Sequence, residues 1–258
     1  MRSQIEILAD AGDDGRTRLV RMRAEGQFAA RATGPGRVHL VGTAAGPLGG
    51  DVVEIVVRVR AGARLEVHGV AASLALPGRV DEPGHGVTTL EVADGGRLSY
   101  VPPPLVVCRG ARLRTLTTLS LAGSGSADVA EQVVLGRHAE PGGDWTGRLV
   151  AHRDGLPVLR TTQTSALLAT ATVPPGEAPV RAVVTRLLTA GAPGFSTPVT
   201  SGGPVTSGGA VRCTLAAGGT LLTALGATLG DALADLEALL DGRPGTVDTD
   251  TAPRTPVA

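Results

Sequence analysis

The stretch that decides the fold reads Gly46-Pro47-Leu48-Gly49-Gly50-Asp51-Val52-Val53-Glu54-Ile55-Val56-Val57-Arg58-Val59-Arg60. Its second half sets Ile55, Val57 and Val59 against Glu54, Arg58 and Arg60, the period of two of a half-buried strand. After Ala61-Gly62 the alternation resumes, with Leu65 and Val67 on one face and Arg64, Glu66 and His68 on the other. Read locally, these are two strands joined by a tight turn. Gly46, Pro47, Gly49 and Gly50 lie within one hexapeptide, which demands positive φ or a close backbone approach that side chains would block. Asp51 closes that turn, where a carboxylate accepts hydrogen bonds from the exposed amides of the bend; ligand binding is the alternative role.

The same texture extends outward. Residues 4–8 and 19–23 flank Asp13-Asp14-Gly15, and residues 87–92 and 97–101 flank Asp94-Gly95-Gly96; both read as hairpins. Residues 149–153 and 156–160 around Asp154-Gly155 make a further one. A turn-then-strand phrase recurs as Ala61-Gly62-Ala63-Arg64-Leu65, Asp94-Gly95-Gly96-Arg97-Leu98, Arg109-Gly110-Ala111-Arg112-Leu113 and Ala217-Gly218-Gly219-Thr220-Leu221. Its irregular spacing argues against a strict solenoid but fits stacked sheets with repeated turns. Glu131 sits within Val129-Ala130-Glu131-Gln132-Val133-Val134-Leu135, and an acid there is costly to bury unpaired. A structural ion pair with Arg137 and a functional carboxylate are both open readings.

Residues 180–188 fit a strand or a short helix, and residues 198–203 and 204–209 repeat Pro-Val-Thr-Ser-Gly-Gly, a flexible low-complexity loop. Leu222, Leu225, Leu229, Leu233, Leu236 and Leu240 follow helical spacing. Gly226 and Gly230 weaken that helix, and Gly242 and Pro244 end it. The expectation is a mainly β chain of many short strands and hairpins with one or two C-terminal α-helices. Residues 1–190 form the core, 191–209 a flexible loop, 210–242 the final strand and helix of the same domain, and 243–258 a disordered tail.

Composition narrows the chemistry. A chain of 258 residues buries a sizeable core without staples. Its formal net charge of +0 lacks the footprint of a nucleic-acid or anionic-lipid binder, so partners are protein surfaces. No leader-like start and no membrane-length apolar run are visible, so the expected location is the cytoplasm. Cys108 and Cys213 read as reduced thiols. All 24 basic residues are arginine, which removes a P-loop lysine, a Schiff-base lysine and a lysine base. Trp145, Tyr100, Phe28 and Phe195 are the only aromatics of their kinds, too few for sugar or single-strand stacking platforms. His39, His68, His85, His138 and His152 are scattered singly, and Cys108 beside Arg109 is a weak nucleophile candidate. No catalytic motif stands out. A β-rich carbohydrate-active enzyme with paired acids and an unrelated structural interaction protein remain as alternative readings.

The run from Arg37-Val38-His39-Leu40-Val41 through Gly46-Pro47-Leu48-Gly49-Gly50-Asp51, then Gly62-Ala63-Arg64-Leu65 and Val70-Ala71-Ala72-Ser73-Leu74-Ala75-Leu76-Pro77-Gly78, resembles the urease accessory protein UreD (UreH) family in its actinobacterial form. Gly95-Gly96-Arg97-Leu98, Pro102-Pro103-Pro104 and Glu131 followed by Gly136-Arg137 continue it in the family's order; the resemblance covers residues 18–165. It implies layered mixed β-sheets with late helices, and a scaffold or chaperone, not an enzyme. Such a scaffold binds the urease apoprotein subunits and recruits UreF and, through it, the GTPase UreG, so that nickel and carbon dioxide reach the urease active site. It implies no tightly bound cofactor, only transient nickel in a polar internal passage, for which Asp51 and Glu131 are the matching carboxylates. Where the family places an acidic residue after its Gly-Arg pair, Glu140 or Asp144 stands in.

Overall fold

The alternation around residues 52–60 does form a strand, but its partner is not the next strand in sequence. The computed structural model describes residues 1–171, 178–192, 205–207 and 209–241. The first strands are β1 (Arg2–Ala11), β2 (Thr17–Glu25), β3 (Phe28–Gly34), β4 (Arg37–Gly42), β5 (Val52–Val59), β6 (Arg64–Gly69) and β7 (Ser73–Ala75). There follow β8 (Gly84–Val92), β9 (Arg97–Val101), β10 (Leu105–Val107), β11 (Arg112–Leu121), β12 (Ser126–Leu135), β13 (Asp144–Arg153), β14 (Leu156–Thr164) and the short helix α1 (Ser165–Ala169). The C-terminal part adds β15 (Ala182–Leu188), β16 (Val205–Ser207), β17 (Ala210–Thr214), β18 (Thr220–Gly226) and α2 (Leu229–Leu240).

Two mixed sheets face each other. Sheet A has the order β14-β13-β11-β8-β5-β1-β2, and sheet B runs β16-β17-β18-β15-β12-β9-β6-β4-β3 with β10 and β7 attached beside β12. β5, β8, β11 and β13 are parallel neighbours in sheet A, and β4, β6, β9 and β12 are parallel neighbours in sheet B. The chain therefore crosses from sheet A to sheet B after β5, after β8 and after β11. Residues 52–60 and 64–68 do not pair with each other, nor do residues 87–92 and 97–101, which corrects both hairpin readings. A Gly-containing turn signals a reversal without specifying which sheet the chain enters, and parallel partners lie a whole crossover away in sequence. The hairpins β1–β2 and β13–β14 are antiparallel as read.

The recurring phrase marks these corners. Ala63, Gly96 and Ala111 each donate their amide to the carbonyl three residues earlier, on Arg60, Ala93 and Cys108, at 2.9–3.1 Å. Gly62, Gly95 and Gly110 occupy the third position of those turns with φ of 70°, 67° and 76°, where a side chain is strained. The first two corners stack, Arg97 donating to the Ala63 carbonyl at 2.9 Å.

Inward-facing Ile5, Ile7, Val57, Leu90, Leu119 and Leu149 of sheet A meet Val38, Leu65, Val67, Leu98 and Val129 of sheet B. On the outer side of sheet B, α2 packs Ala232, Leu236 and Leu239 against Ala182, Val184, Leu222 and Ala224. The leucine periodicity overreached here: Leu222 and Leu225 belong to β18, which pairs with both β15 and β17, and the helix begins only after Thr228. That residue and Asp231 form a reciprocal capping box, which fixes the start of α2. Residues 182–188 are strand. Within the stretch read as a flexible loop, Val205–Ser207 pairs with Ala210–Arg212 of β17 and completes a sheet edge; residues 193–204 and 208 and the tail 243–258 lie outside the described residues.

Candidate functional site

The apolar filling between the sheets is interrupted in the middle of β11. Leu113, Thr115, Thr117, Leu119 and Leu121 point inward in turn, so two hydroxyls replace leucines in the central rows. Thr117 donates a 2.6 Å hydrogen bond to Glu131 Oε1, and Trp145 Nε1 donates to Thr115 Oγ1 at 3.1 Å. Beside Glu131, Thr185 of β15 accepts a 2.8 Å bond from Gln163 of β14. Two side-chain hydrogen bonds thus join sheet A to sheet B through the core.

A cavity of about 140 Å³ opens at this point, lined by Thr88, Tyr100, Thr115, Thr117, Glu131 and Trp145 among mostly apolar neighbours. Glu131 is the one carboxylate among the described residues lining it. Burial pushes its carboxyl up to about 7, against the opposing hydrogen bond from Thr117. Burial also raises the Tyr100 phenol, beside the Thr88 hydroxyl. The site therefore holds a carboxyl group poised between its charged and neutral forms, ringed by hydroxyls that donate or accept. A single carboxylate does not supply the acid and nucleophile or base of a glycosidase.

The ion pair between Glu131 and Arg137 does not form. β12 stays extended to Leu135, so Arg137 lies roughly 20 Å along the chain from Glu131, and Gly136 at φ 78° turns it outward. Arg137 instead grips Glu140, with Nε and Nη2 each 3.0 Å from its carboxylate oxygens. The Arg137 side chain and amide hold Glu140 down to about 2. Asp144 pairs with Arg114 at 2.7 Å.

Asp51 sits elsewhere, with 5% exposure. Its inward-facing position is four residues before Ile55 and two strands from β11, about 15 Å from Glu131 by strand geometry. Oδ2 accepts from the Leu48 amide at 2.9 Å and from Gln27 Nε2 at 2.5 Å; Oδ1 accepts from the Met1 amino group. Burial raises the Asp51 carboxyl, but these hydrogen bonds together hold it below its ordinary value. Gln27 Oε1 is buried without a partner among the described residues. The turn itself depends on its glycines: a Cβ on Gly49 would come within 2.8 Å of the Glu82 carbonyl oxygen and 2.9 Å of the Gly78 nitrogen, and Gly50 has φ 81°.

The structure keeps Asp51 and Glu131 apart, and it adds Thr88, Tyr100, Thr115, Thr117 and Trp145, which motif reading passed over. Their signal was present in the alternation of β11, where inward positions 115 and 117 are threonine between leucines. Cys108 is buried and Cys213 half-buried, and neither is in a disulfide. Burial, with Glu140 adding to it, pushes the Cys108 thiol up, the reverse of an activated nucleophile. Among the described residues no group of three or more His, Cys, Asp and Glu is arranged to hold a metal, and no helix is long and apolar enough to cross a membrane.

Residues 3–241 match the family model described as UreD urease accessory protein. The chain belongs to the UreD family. It is 40% identical over 160 residues to the urease accessory protein UreD of Parafrankia sp. (strain EAN1pec), covering 60% of this chain and 53% of that protein. It is 36% identical over 165 residues to UreD of Frankia alni, covering 55% of each. With UreD of Streptomyces coelicolor the identity is 38% over 163 residues, covering 62% of this chain and 64% of the relative. The chain spans about half the length of the first of these UreD relatives. The Gly46–Asp51 turn and the two-sheet frame around Glu131 both lie inside the region that matches the UreD model.

Proposed function

We propose that this chain is a non-catalytic scaffold of urease maturation, acting in the cytoplasm. It binds the urease apoprotein subunits, engages UreF and through it UreG, and gives nickel a route toward the urease active site. The observation that carries this reading is the UreD family match across residues 3–241. The interior supports the nickel part. Glu131, the neighbouring hydroxyls and the cavity they line supply oxygen donors, which suit a hydrated divalent cation in transit, whereas a closed histidine and cysteine cage would retain it. Asp51 has both oxygens committed to hydrogen bonds, so its role in this reading is to hold the turn, and the passage rests on Glu131.

The test is co-expression of the tagged chain with urease subunits and UreF, followed by pull-down, mass spectrometry and a nickel-dependent urease assay. Recovery of urease and UreF with restored activity is the expected result. A folded protein that captures neither and activates nothing would overturn the scaffold reading.

A further inference from the structure

α2 covers the outer face of sheet B over β15, β17 and β18 and leaves β4, β6 and β9 open. Val38, Leu40, Leu65, Val67, Leu98 and Tyr100 point into the core, so the intervening side chains of these strands form the outer surface. A shallow groove of about 650 Å³ crosses the three strands, and a second, lined by Arg16, adjoins it at Arg64 and Glu66. Arg16, Arg37, Arg64 and Arg97 rim the two grooves, with Glu66 as their one acid. Arg37 is paired with Glu66 at 2.7 Å. Arg64 and Arg97 stand in register on adjacent strands, and neither meets a carboxylate among the described residues.

This contrasts with the outer face of sheet A over β1, β2, β5 and β8. There Arg2 pairs with Glu54 at 2.6 Å, Arg21 with Glu6 at 3.1 Å, Arg58 with Glu91 at 2.8 Å and Arg60 with Asp10 at 2.7 Å. The chain as a whole has formal net charge +0; Arg148 and Arg160 on β13 and β14 are also outside the ion pairs but oppose Thr162 and Val150, whereas Arg64 and Arg97 stand directly opposite each other. Like charges directly opposite on neighbouring strands cost stability, and an incoming anion relieves that cost.

Charge also decides between ligand classes. His39 and His68 lie in register with ring centroids 5.8 Å apart, a pair that suggests a metal. The arginines around them oppose a divalent cation. Nucleic acid is disfavoured because Trp145 and Tyr100 are buried in the core, so among the described residues the open face offers no tryptophan or tyrosine for base stacking. The cations without a carboxylate partner among the described residues, Arg97, Arg64 and Arg16, run along two adjoining grooves, a line that an extended chain follows and a single small anion does not. We infer that this groove docks an acidic polypeptide segment of a partner protein, with Arg64 and Arg97 as its charge anchors and His39, His68 and Ser99 as hydrogen-bonding neighbours. The inference does not rest on the maturation reading, and a direct binding measurement separates the two.

Fluorescence anisotropy of a labelled decaglutamate peptide, titrated with the full chain, tests it against an oligothymidine of equal charge. Saturable peptide binding that weakens with added salt is expected, falling about ten-fold or more in the double variant Arg64→Ser/Arg97→Ser and unchanged in Arg2→Ser, whose arginine is already paired on sheet A. Thermal unfolding of the double variant checks that the fold is kept. Absence of peptide binding, equal affinity in wild type and double variant, or tighter binding of oligothymidine would each overturn the assignment.

Discussion

Thr117 of β11 reaches across the space between the two sheets to donate a 2.6 Å hydrogen bond to Glu131 of β12. That contact fixes the direction of a pH effect. Glu131 titrates at about 7 in the folded protein because its carboxyl is desolvated, against an ordinary value of 4.5. Below pH 4.5 the carboxyl is protonated in both folded and unfolded chains and costs nothing. As pH rises from there toward 7, the unfolded chain ionises while the folded one resists, so stability is lost across that window and falls no further above it. The loss amounts to about 3 kcal/mol. Glu131→Gln keeps an acceptor for Thr117 without the ionisation. The expected result is equal stability of variant and wild type near pH 4, and a more stable variant at pH 8, measured by urea unfolding. Equal stabilities at pH 8 would show that the Glu131 carboxyl is not desolvated in the folded protein.

The Gly46–Asp51 turn yields a second prediction. Gly49 lies against backbone atoms of Glu82 and Gly78, so an added Cβ meets groups that cannot rotate away. Gly49→Ala is expected to cost roughly 1–3 kcal/mol by overpacking. Gly42→Ala, where a Cβ meets nothing within 4 Å, is expected to stay within about 0.5 kcal/mol of wild type. Chemical unfolding of both variants provides the comparison, and a Gly49→Ala protein as stable as Gly42→Ala would contradict the close approach.

These two sites differ in how far the sequence disclosed them. The glycine turn was legible because its constraint is local: Gly49 and Gly50 announce a backbone that side chains would obstruct. The strands were legible by alternation, and β1–β2 and β13–β14 by their short connecting turns. The parallel pairing of β5 with β8 and of β6 with β9 was not, because a parallel partner leaves no mark near its own strand. Leu222 and Leu225 mimicked a helix face because spacings of three and four are shared with the helix that follows; only the pairing of β18 on both edges separates them. Glu131 was visible as a misplaced acid, yet its partner was misassigned to Arg137, since proximity in sequence favours a neighbour that an extended strand carries roughly 20 Å away. Thr117 comes from the opposite sheet, and no local pattern links the two.

Arg186 and Asp128 provide a third test, this time of the junction beneath α2. Their two hydrogen bonds, at 2.8 and 2.7 Å, form a bidentate pair between β12 and β15, with the Asp128 side chain 4% exposed. Hydrogen bonding to Asp128 raises the Arg186 guanidinium, so it stays charged. Asp128→Leu removes both hydrogen bonds from that half-buried cation, at an expected cost of about 1.5–3 kcal/mol. Asp128→Leu/Arg186→Leu is expected to recover most of the loss. A double-mutant cycle measured by urea unfolding decides it, and additive losses would mean that the pair is not coupled.

Trp145 reports on the cavity from within. It is the chain's one tryptophan, is 1% exposed, and lines the cavity that contains Glu131. A nickel ion that reaches Glu131 comes close to the indole and quenches its emission, whereas an ion bound on the outer surface does not. Titration of nickel into the wild-type chain is therefore expected to lower Trp145 fluorescence saturably at pH 8, where Glu131 is ionised, and less at pH 6, where a proton occupies the carboxyl that titrates at about 7. Glu131→Gln is expected to abolish the pH-dependent part of the quenching while still capturing urease and UreF in a pull-down. Quenching identical in wild type and variant at both pH values would remove Glu131 from the nickel route and leave the scaffold role to stand on binding alone.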